Sequence, residues 1–177
     1  MASGLATEVQ FVKGIGPKFA ALYAKFGVRT VEDLLFHLPR RYQDRRLIPP
    51  ISKVRPGEFA TVRGRIRRVE SRPISGGRVI LKAVLEDATG SINLTWFNQP
   101  WVKKQLEAAD QIIAYGMVKE GAYTDEISAP EWEAIDDEDA VDGFASIVPI
   151  YPLTEGLPQK VARNGARNAI ENFLSHV

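Results

Sequence analysis

The sequence contains no cysteine and only two histidines, His37 and His176. The absence of cysteine excludes disulfide bonds and thiolate metal sites, and it suits a reducing compartment. Because the two histidines are far apart in the sequence, we expect no zinc site. No apolar run approaches the ~18 residues of a membrane-spanning helix, and no signal-peptide pattern opens the sequence. We therefore expect a cytoplasmic protein without a membrane partner.

The phosphate-binding loop of many ATPases, Gly-x-x-x-x-Gly-Lys-Ser/Thr, is also absent. Carboxylates cluster near Asp136, but no histidine or metal-ligand pattern accompanies them. We therefore predict no catalytic residue, no metal site and no cofactor for this chain alone.

The charges are strongly segregated, although the net charge is only +1. Residues 1–104 contain 19 Lys and Arg against 8 Asp and Glu, whereas residues 105–145 contain 1 Lys against 12 Asp and Glu. This pattern is typical of two surfaces with different partners, or of an acidic segment held away from a polyanion. Solvated surface without any partner is an equally good interpretation, and the acidic run at residues 136–139 receives no role.

A helical hairpin is predicted near the start of the chain. Gly14 and Gly16 flank Ile15, which we expect to point inward, and Pro17 suits the start of the helix that follows. Gly27 is predicted to end that helix in a left-handed conformation, and Thr30 to cap the next one. Amides around a Gly-Ile-Gly turn can hold a phosphate, so Gly14, Gly16 and Lys18 form a possible phosphate site. A purely structural hairpin is the alternative.

A dense basic segment follows at residues 40–46, with four arginines and one tyrosine. These arginines could face nucleic-acid phosphates, or they could pair with carboxylates and stabilise a domain junction. We expect a mixture, with Arg40 and Arg41 among the residues that contact a phosphate backbone.

From Glu58 onward the apolar residues recur with period two, which predicts strands. One face of the first strand carries Arg63, Arg65 and Arg67, and Gly64 permits a bend within it. Further strands are predicted at residues 79–86, 91–97, 111–119 and within 122–135, with a helix at residues 99–108. Five strands with a helix after the third indicate an OB-fold barrel. We predict an α+β, mainly β protein with a helical segment at 1–46, a barrel domain at 47–145, and a linker and helix at 146–177.

Three aromatic residues surround the turn between the third strand and the helix: Trp96, Phe97 and Trp101. Alternation places Trp96 on the core face, whereas the other two are well placed to stack on nucleic-acid bases, at roughly 1–3 kcal/mol per base. Packing beneath a loop is the alternative for any single ring. Lys103 and Lys104 lie close enough to contact a phosphate backbone.

Four segments in order resemble the N-terminal wedge region of RecG, a family of bacterial ATP-dependent branched-DNA helicases. They lie at residues 14–18 (GIGPK), 31–42 (VEDLLFHLPRRY), 96–99 (WFNQ) and 148–157 (VPIYPLTEGL). The resemblance extends from about Val9 to the end of the chain. Two features depart from the family pattern: the segment Ala129-Pro130 lacks a histidine before the proline, and the acidic run is local to this protein.

The resemblance implies a DNA-binding wedge that splits strands at replication forks and Holliday junctions during fork reversal, in DNA repair and recombination. It implies base stacking by Phe97 and Trp101, four residues apart. It also implies motor domains in the same polypeptide that use ATP and Mg²⁺, with a helix at residues 158–174 leading into them. Single-strand-binding protein is a further implied partner, and the implied location is the bacterial nucleoid. Two alternatives stay open: a generic single-strand-binding module, and a protein-docking module that uses the acidic stretch.

Overall fold

The computed structural model describes residues 4–136 and 138–174, without the side chains of residues 138 and 139. His176 and part of the acidic run at 136–139 therefore lie outside the described residues. Two compact units are present: residues 1–43 together with 148–177 form the helical unit, and residues 44–147 form the barrel unit. Within the described ranges, no helix is both long enough and apolar enough to cross a membrane.

The regular elements alternate between short helices and longer strands. The α-helices are α1 (Gly16–Tyr23), α2 (Val31–Leu35), α3 (Trp101–Ala108), α4 (Glu138–Phe144) and α5 (Gln159–Phe173). The strands are β1 (Arg41–Asp44), β2 (Phe59–Ile74), β3 (Arg78–Glu86), β4 (Ser91–Phe97), β5 (Gln111–Lys119), β6 (Glu126–Ser128), β7 (Glu131–Ala134) and β8 (Ile147–Ile150). Single 3₁₀ turns lie at Gly4–Ala6, Val9–Phe11, Ala24–Phe26 and Ile51–Lys53.

Local sequence signals define the helical unit. Gly27 ends the first helical segment with φ 81°, which confirms the predicted left-handed end. Thr30 caps α2, because its Oγ1 accepts a hydrogen bond from the Asp33 amide at 3.2 Å while the Asp33 carboxylate accepts one from the Thr30 amide at 2.9 Å. Strands β1 and β8 pair with each other in a separate two-stranded sheet.

Helix α5 packs closely within the helical unit at Gly165. A Cβ atom at this glycine would lie 2.9 Å from Cδ1 of Ile15, which points inward as predicted. Ala162, Ala166 and Ala169 lie on the same buried face of α5. Small residues therefore allow a close approach, so the glycine that lowers helix propensity also has a packing role.

The barrel unit is an α+β, mainly β OB-fold, as predicted. Its strand order is β2-β3-β4-β6-β5-β7, and an additional β2–β5 pairing closes the sheet on itself. The β4–β6 pair is parallel, and the other neighbouring pairs are antiparallel. Helix α3 lies between β4 and β5 and buries Val102 and Leu106 in the barrel core.

The last predicted strand, within residues 122–135, is two strands instead of one. β6 ends at Ser128 and β7 begins at Glu131. Between them Ala129 adopts φ 48°, and Pro130 has no amide hydrogen to continue a strand ladder. This interruption lets β6 pair with β4 while both β6 and β7 pair with β5.

Every second residue of β3 and β4 points into the barrel core. Leu81, Ala83 and Leu85 are fully buried on β3, and Trp96 on β4 is 2% exposed, as predicted. Gly64 lies where β2 leaves β5 and joins β3, and a Cβ atom there would be 2.4 Å from the Glu86 carbonyl oxygen. Glycine is thus required by a close backbone approach.

Candidate nucleic-acid interface

The turn between β4 and α3 presents two aromatic rings to solvent. Phe97, the last residue of β4, is 52% exposed, and Trp101, the first residue of α3, is 60% exposed. Asn98 between them adopts φ 55°, a conformation that asparagine tolerates better than most residues. Its amide donates a hydrogen bond to the Val79 carbonyl at 2.7 Å, which fixes the turn to β3.

The predicted lysines lie on the helix that begins with Trp101. Lys104 is exposed and lies three residues after Trp101, so the two side chains share one face of α3. Lys103 is half-buried, and its Nζ lies 3.7 Å from Glu107 one turn later. Lys104 is therefore the better placed of the two to meet a phosphate beside the Trp101 ring.

The arginines predicted on β2 lie beside carboxylates. Arg65 Nη2 is 3.4 Å from Asp110, and Arg67 donates hydrogen bonds to Glu86 at 2.6 and 3.2 Å. The bonds to Glu86 raise the pKa of the Arg67 guanidinium. Arg63 is half-buried and has interactions of its own. The three arginines line one surface groove together with Gln111.

Strand register separates these arginines from the exposed rings. Arg65 pairs with Glu86 on β3, whereas Phe97 pairs with Ile80 on the same strand. The two rows are therefore six residues apart along β3, which is about 20 Å at strand spacing. Within the barrel unit, the structure therefore does not bring Phe97 together with the arginines predicted on β2.

Other cations do lie beside Phe97, and the sequence analysis missed them. Arg72 pairs with Ile80, which pairs in turn with Phe97, so the three side chains share one row and one face of the sheet. Arg68 and Lys82 lie farther along the same face, and Arg78 lies beyond the row. The alternation in residues 68–72 and 78–84 is the sequence signal that could have identified them.

The possible phosphate site in the helical unit keeps the geometry of a tight turn. Gly14 adopts φ 90° and Gly16 φ 59°, and the turn leads into α1. Lys18 is exposed, with its Nζ 5.9 Å from the centre of the Phe19 ring. The Ile15 amide at the centre of the turn donates a hydrogen bond to the Val12 carbonyl at 3.1 Å, so this amide is used within the hairpin itself.

Three arginines of the basic segment are exposed: Arg40, Arg41 and Arg46. The Arg40 amide donates a hydrogen bond to the Ile150 carbonyl at 2.8 Å, which joins the segment to β8. Arg46 instead binds Asp44, and its hydrogen bonds lower the pKa of that carboxyl to about 2.

Arg45 differs from its neighbours because it is buried in the barrel unit. Its Nη1 and Nη2 each donate to a different oxygen of Glu131 at 3.0 Å. Its guanidinium lies 4.1 Å from the centre of the Tyr115 ring, and its carbonyl accepts a hydrogen bond from Thr61 at 3.1 Å. Arg45 is therefore a structural residue, and its hydrogen-bond partner Thr61 of β2 is buried with it.

The barrel unit is an OB-fold domain, because its strands β2, β3, β4, β6 and β5 close into a barrel. Its two exposed rings, with cations beside them, are features of surfaces that bind single strands. Residues 8–173 match the family model described as the RecG wedge domain. The chain belongs to the RecG wedge-domain family, which confirms the resemblance seen in the sequence.

Individual relatives agree with this assignment. The chain is 32% identical to the ATP-dependent DNA helicase RecG of Escherichia coli K12 over 167 residues, covering 94% of the chain and 24% of the relative. It is 36% identical to the RecG of Thermotoga maritima over 161 residues, covering 90% of the chain and 20% of the relative.

The chain is also similar to a solved structure of RecG bound to a three-way DNA junction, with a TM-score of 0.78 and 33% sequence identity. The match covers all of this chain and 24% of the RecG chain in that structure. The chain thus spans a quarter or less of the length of these relatives.

Proposed function

We propose that this chain is the branched-DNA-binding wedge of an ATP-dependent helicase that reverses replication forks and moves Holliday junctions in DNA repair and recombination. The relatives it matches are named ATP-dependent DNA helicases, and one was solved with a three-way junction. ATP and Mg²⁺ would be bound by motor domains elsewhere in a longer polypeptide, because this sequence has no phosphate-binding loop. The bacterial nucleoid and single-strand-binding protein are the corresponding location and partner.

The observation that carries this proposal is the pair of exposed rings at one fixed turn. Phe97 and Trp101 end a strand and begin a helix, and both elements are anchored in the barrel core by neighbouring buried residues. A ring that is held rigidly loses little conformational entropy when a base stacks on it. Stacking is worth about 1–3 kcal/mol per base, so two rings offset the few kcal/mol needed to unstack a junction.

The mechanism we propose is mechanical. Phe97 and Trp101 cover the last base pairs of two arms and prevent the separated strands from rejoining. Exposed cations, including Arg40, Arg41 and Lys104, contact phosphates without regard to sequence, so affinity falls as salt rises. No residue of this chain takes part in a covalent step.

The test is equilibrium binding of the 177-residue chain to a three-way fork, a duplex and a single strand across a salt series. We expect the fork to bind most tightly. Phe97→Ala and Trp101→Ala should each weaken fork binding by about 5-fold to 150-fold, which corresponds to 1–3 kcal/mol, and should leave duplex affinity unchanged.

Tyr123→Ala is the matched control, because this ring is fully exposed but its loop carries Glu120 and Asp125, which repel a polyanion. It should bind all three DNAs like the unmodified chain. Equal affinity for single strand and fork would favour a generic single-strand-binding module instead. Absence of any salt-sensitive DNA binding would favour a protein-docking module.

A further inference from the structure

The connection between the two exposed rings, Phe97 and Trp101, is short and is held at both ends. The neighbouring residues Trp96 and Val102 are only 2% and 3% exposed. Both belong to the barrel core, so the end of β4 and the start of α3 are fixed. The orientation of one ring relative to the other therefore depends on the three intervening residues, 98–100.

Proline restricts two of these three residues. The pyrrolidine ring of Pro100 fixes its φ, which is −63°. A residue that precedes proline is restricted to extended conformations, so Gln99 contributes little to a change of chain direction. The change of direction between strand and helix therefore falls on Asn98, whose φ is 55°.

The backbone conformation of Asn98 is uncommon for a residue with a side chain. Among the described residues other than glycine, only Asn98 and Ala129 have a positive φ. The Asn98 amide donates a hydrogen bond to the Val79 carbonyl at 2.7 Å. The Ala129 amide donates one to the Thr95 carbonyl at 2.6 Å, so both residues are bound to the backbone around the end of β4. Strained residues persist where the surrounding structure holds them, and they cluster at functional sites.

The side chain of Asn98 does not account for the strained backbone. It is exposed, and no side-chain hydrogen bond joins it to another residue in the described part of the chain. Asparagine adopts a positive φ more readily than most residues, whereas a β-branched residue rarely does. The conformation of the turn is therefore the feature that favours asparagine here.

We propose that Asn98 is a positioning residue, whose left-handed backbone sets the separation and orientation at which Phe97 and Trp101 meet the bases at a branch point. It acts through the two rings and not by contacting DNA itself. The inference deepens the proposed function and rests on it, because Asn98 has this role only if the rings stack on bases.

The test separates the backbone of Asn98 from its side chain. Asn98→Gly and Asn98→Ala both delete the side-chain amide, but glycine adopts the left-handed conformation freely and alanine resists it. Asn98→Val resists it more strongly, because valine is β-branched. Affinity for the three-way fork and for a duplex is measured for each variant. The same substitutions are then made in a chain that also carries Phe97→Ala and Trp101→Ala.

We expect Asn98→Gly to bind the fork within about 3-fold of the unmodified chain, because glycine keeps the turn. Asn98→Ala should bind it about 5-fold more weakly and Asn98→Val up to about 30-fold more weakly, from the cost of a left-handed backbone. Duplex affinity should not change. In the chain without the two rings, the substitutions at Asn98 should have no further effect, because a residue that acts only through the rings is not additive with them.

Gly57→Val is the matched control for strain. Gly57 has φ 90° in an exposed turn of the barrel unit, and its amide donates to the Val118 carbonyl of β5 at 2.9 Å. This substitution also forces a β-branched residue to a positive φ, but in a turn that is not joined to β4. It should lower the midpoint of urea unfolding and leave fork affinity unchanged, which separates ring positioning from a general loss of stability.

Equal losses of fork affinity in Asn98→Gly and Asn98→Val would overturn the inference and assign the role to the side chain. Unchanged fork affinity in both variants would also overturn it, as would an equal loss in Gly57→Val. If removal of both rings leaves fork affinity unchanged, the stacking mechanism fails and the positioning role fails with it. If the rings matter but Asn98→Val binds the fork like the unmodified chain, the positioning role alone is refuted.

Discussion

Arg45 forms an ion pair inside the barrel unit that should contribute strongly to its stability. Its side chain is 2% exposed, and both of its terminal nitrogens bind Glu131, which is 37% exposed. The guanidinium also lies against the Tyr115 ring, and the Phe144 ring of α4 is 5.4 Å from it. Arg45→Ala would remove all these interactions, including both hydrogen bonds to Glu131.

The expected loss of stability follows from the burial of the pair. Removing one member of a buried ion pair costs about 3–5 kcal/mol, and partial exposure of Glu131 lets water reach the carboxylate, which favours the lower end. Loss of a desolvated cation–aromatic contact adds up to about 2 kcal/mol. We therefore expect Arg45→Ala to lower the free energy of unfolding of the barrel unit by about 3–5 kcal/mol.

Urea unfolding followed by tryptophan fluorescence measures this loss specifically, because all three tryptophans lie in the barrel unit. Arg46→Ala is the matched control, since its pair with Asp44 is exposed and should leave the unfolding midpoint close to that of the unmodified chain. A midpoint for Arg45→Ala as high as that for Arg46→Ala would refute the structural role of the buried guanidinium.

Two further substitutions test the packing of each unit. Burial raises the pKa of Tyr23 to about 12, with a smaller contribution from Tyr151. The neutral side chain therefore contributes its full stabilisation to the helical unit below pH ~10, the pKa of tyrosine in the unfolded chain. This stabilisation is lost as the pH rises from about 10 toward 12. Among the described residues the Tyr23 hydroxyl has no hydrogen-bond partner, so Tyr23→Phe should leave stability at pH 7 unchanged or raise it by up to about 1 kcal/mol. The variant should also reduce the alkaline loss, although Tyr151, whose pKa burial raises too, keeps its own part of it. Circular dichroism across a pH series measures both effects, and an unchanged alkaline loss in the variant would contradict the assignment. Gly64→Ala should lower the free energy of unfolding by about 1–3 kcal/mol, because the new Cβ atom would clash with the Glu86 carbonyl. Tryptophan fluorescence in urea measures this loss. A stability equal to that of the unmodified chain would contradict the close approach.

Features that depend on neighbouring residues could be predicted from the sequence. Gly27 and Thr30 act within one or two turns of a helix, and the alternation around Trp96 reports which face of a strand is buried. The number and order of the barrel strands followed from the same local patterns, apart from the interruption at Ala129. Local rules suffice where the interacting residues are close in sequence.

Features that depend on strand register could not be predicted. Phe97 and Arg65 both looked available to DNA, but their distance is fixed by the separate positions at which they pair along β3. The sequence predicted a mixture of roles for the arginines at 40–46 but did not show that Arg45 is the buried one, because its partner Glu131 is 86 residues away in the sequence. Burial of a charge depends on such a distant partner, which a single sequence does not identify.

The most direct measurement places a fluorescent base, 2-aminopurine, at the branch point of a three-way fork and follows its emission as the 177-residue chain binds. If Phe97 and Trp101 stack on the separated bases, the emission should change on binding, and Phe97→Ala with Trp101→Ala should abolish the change at saturating protein. The control Tyr123→Ala should reproduce the unmodified chain. The same emission change with both rings removed would contradict base stacking by the wedge.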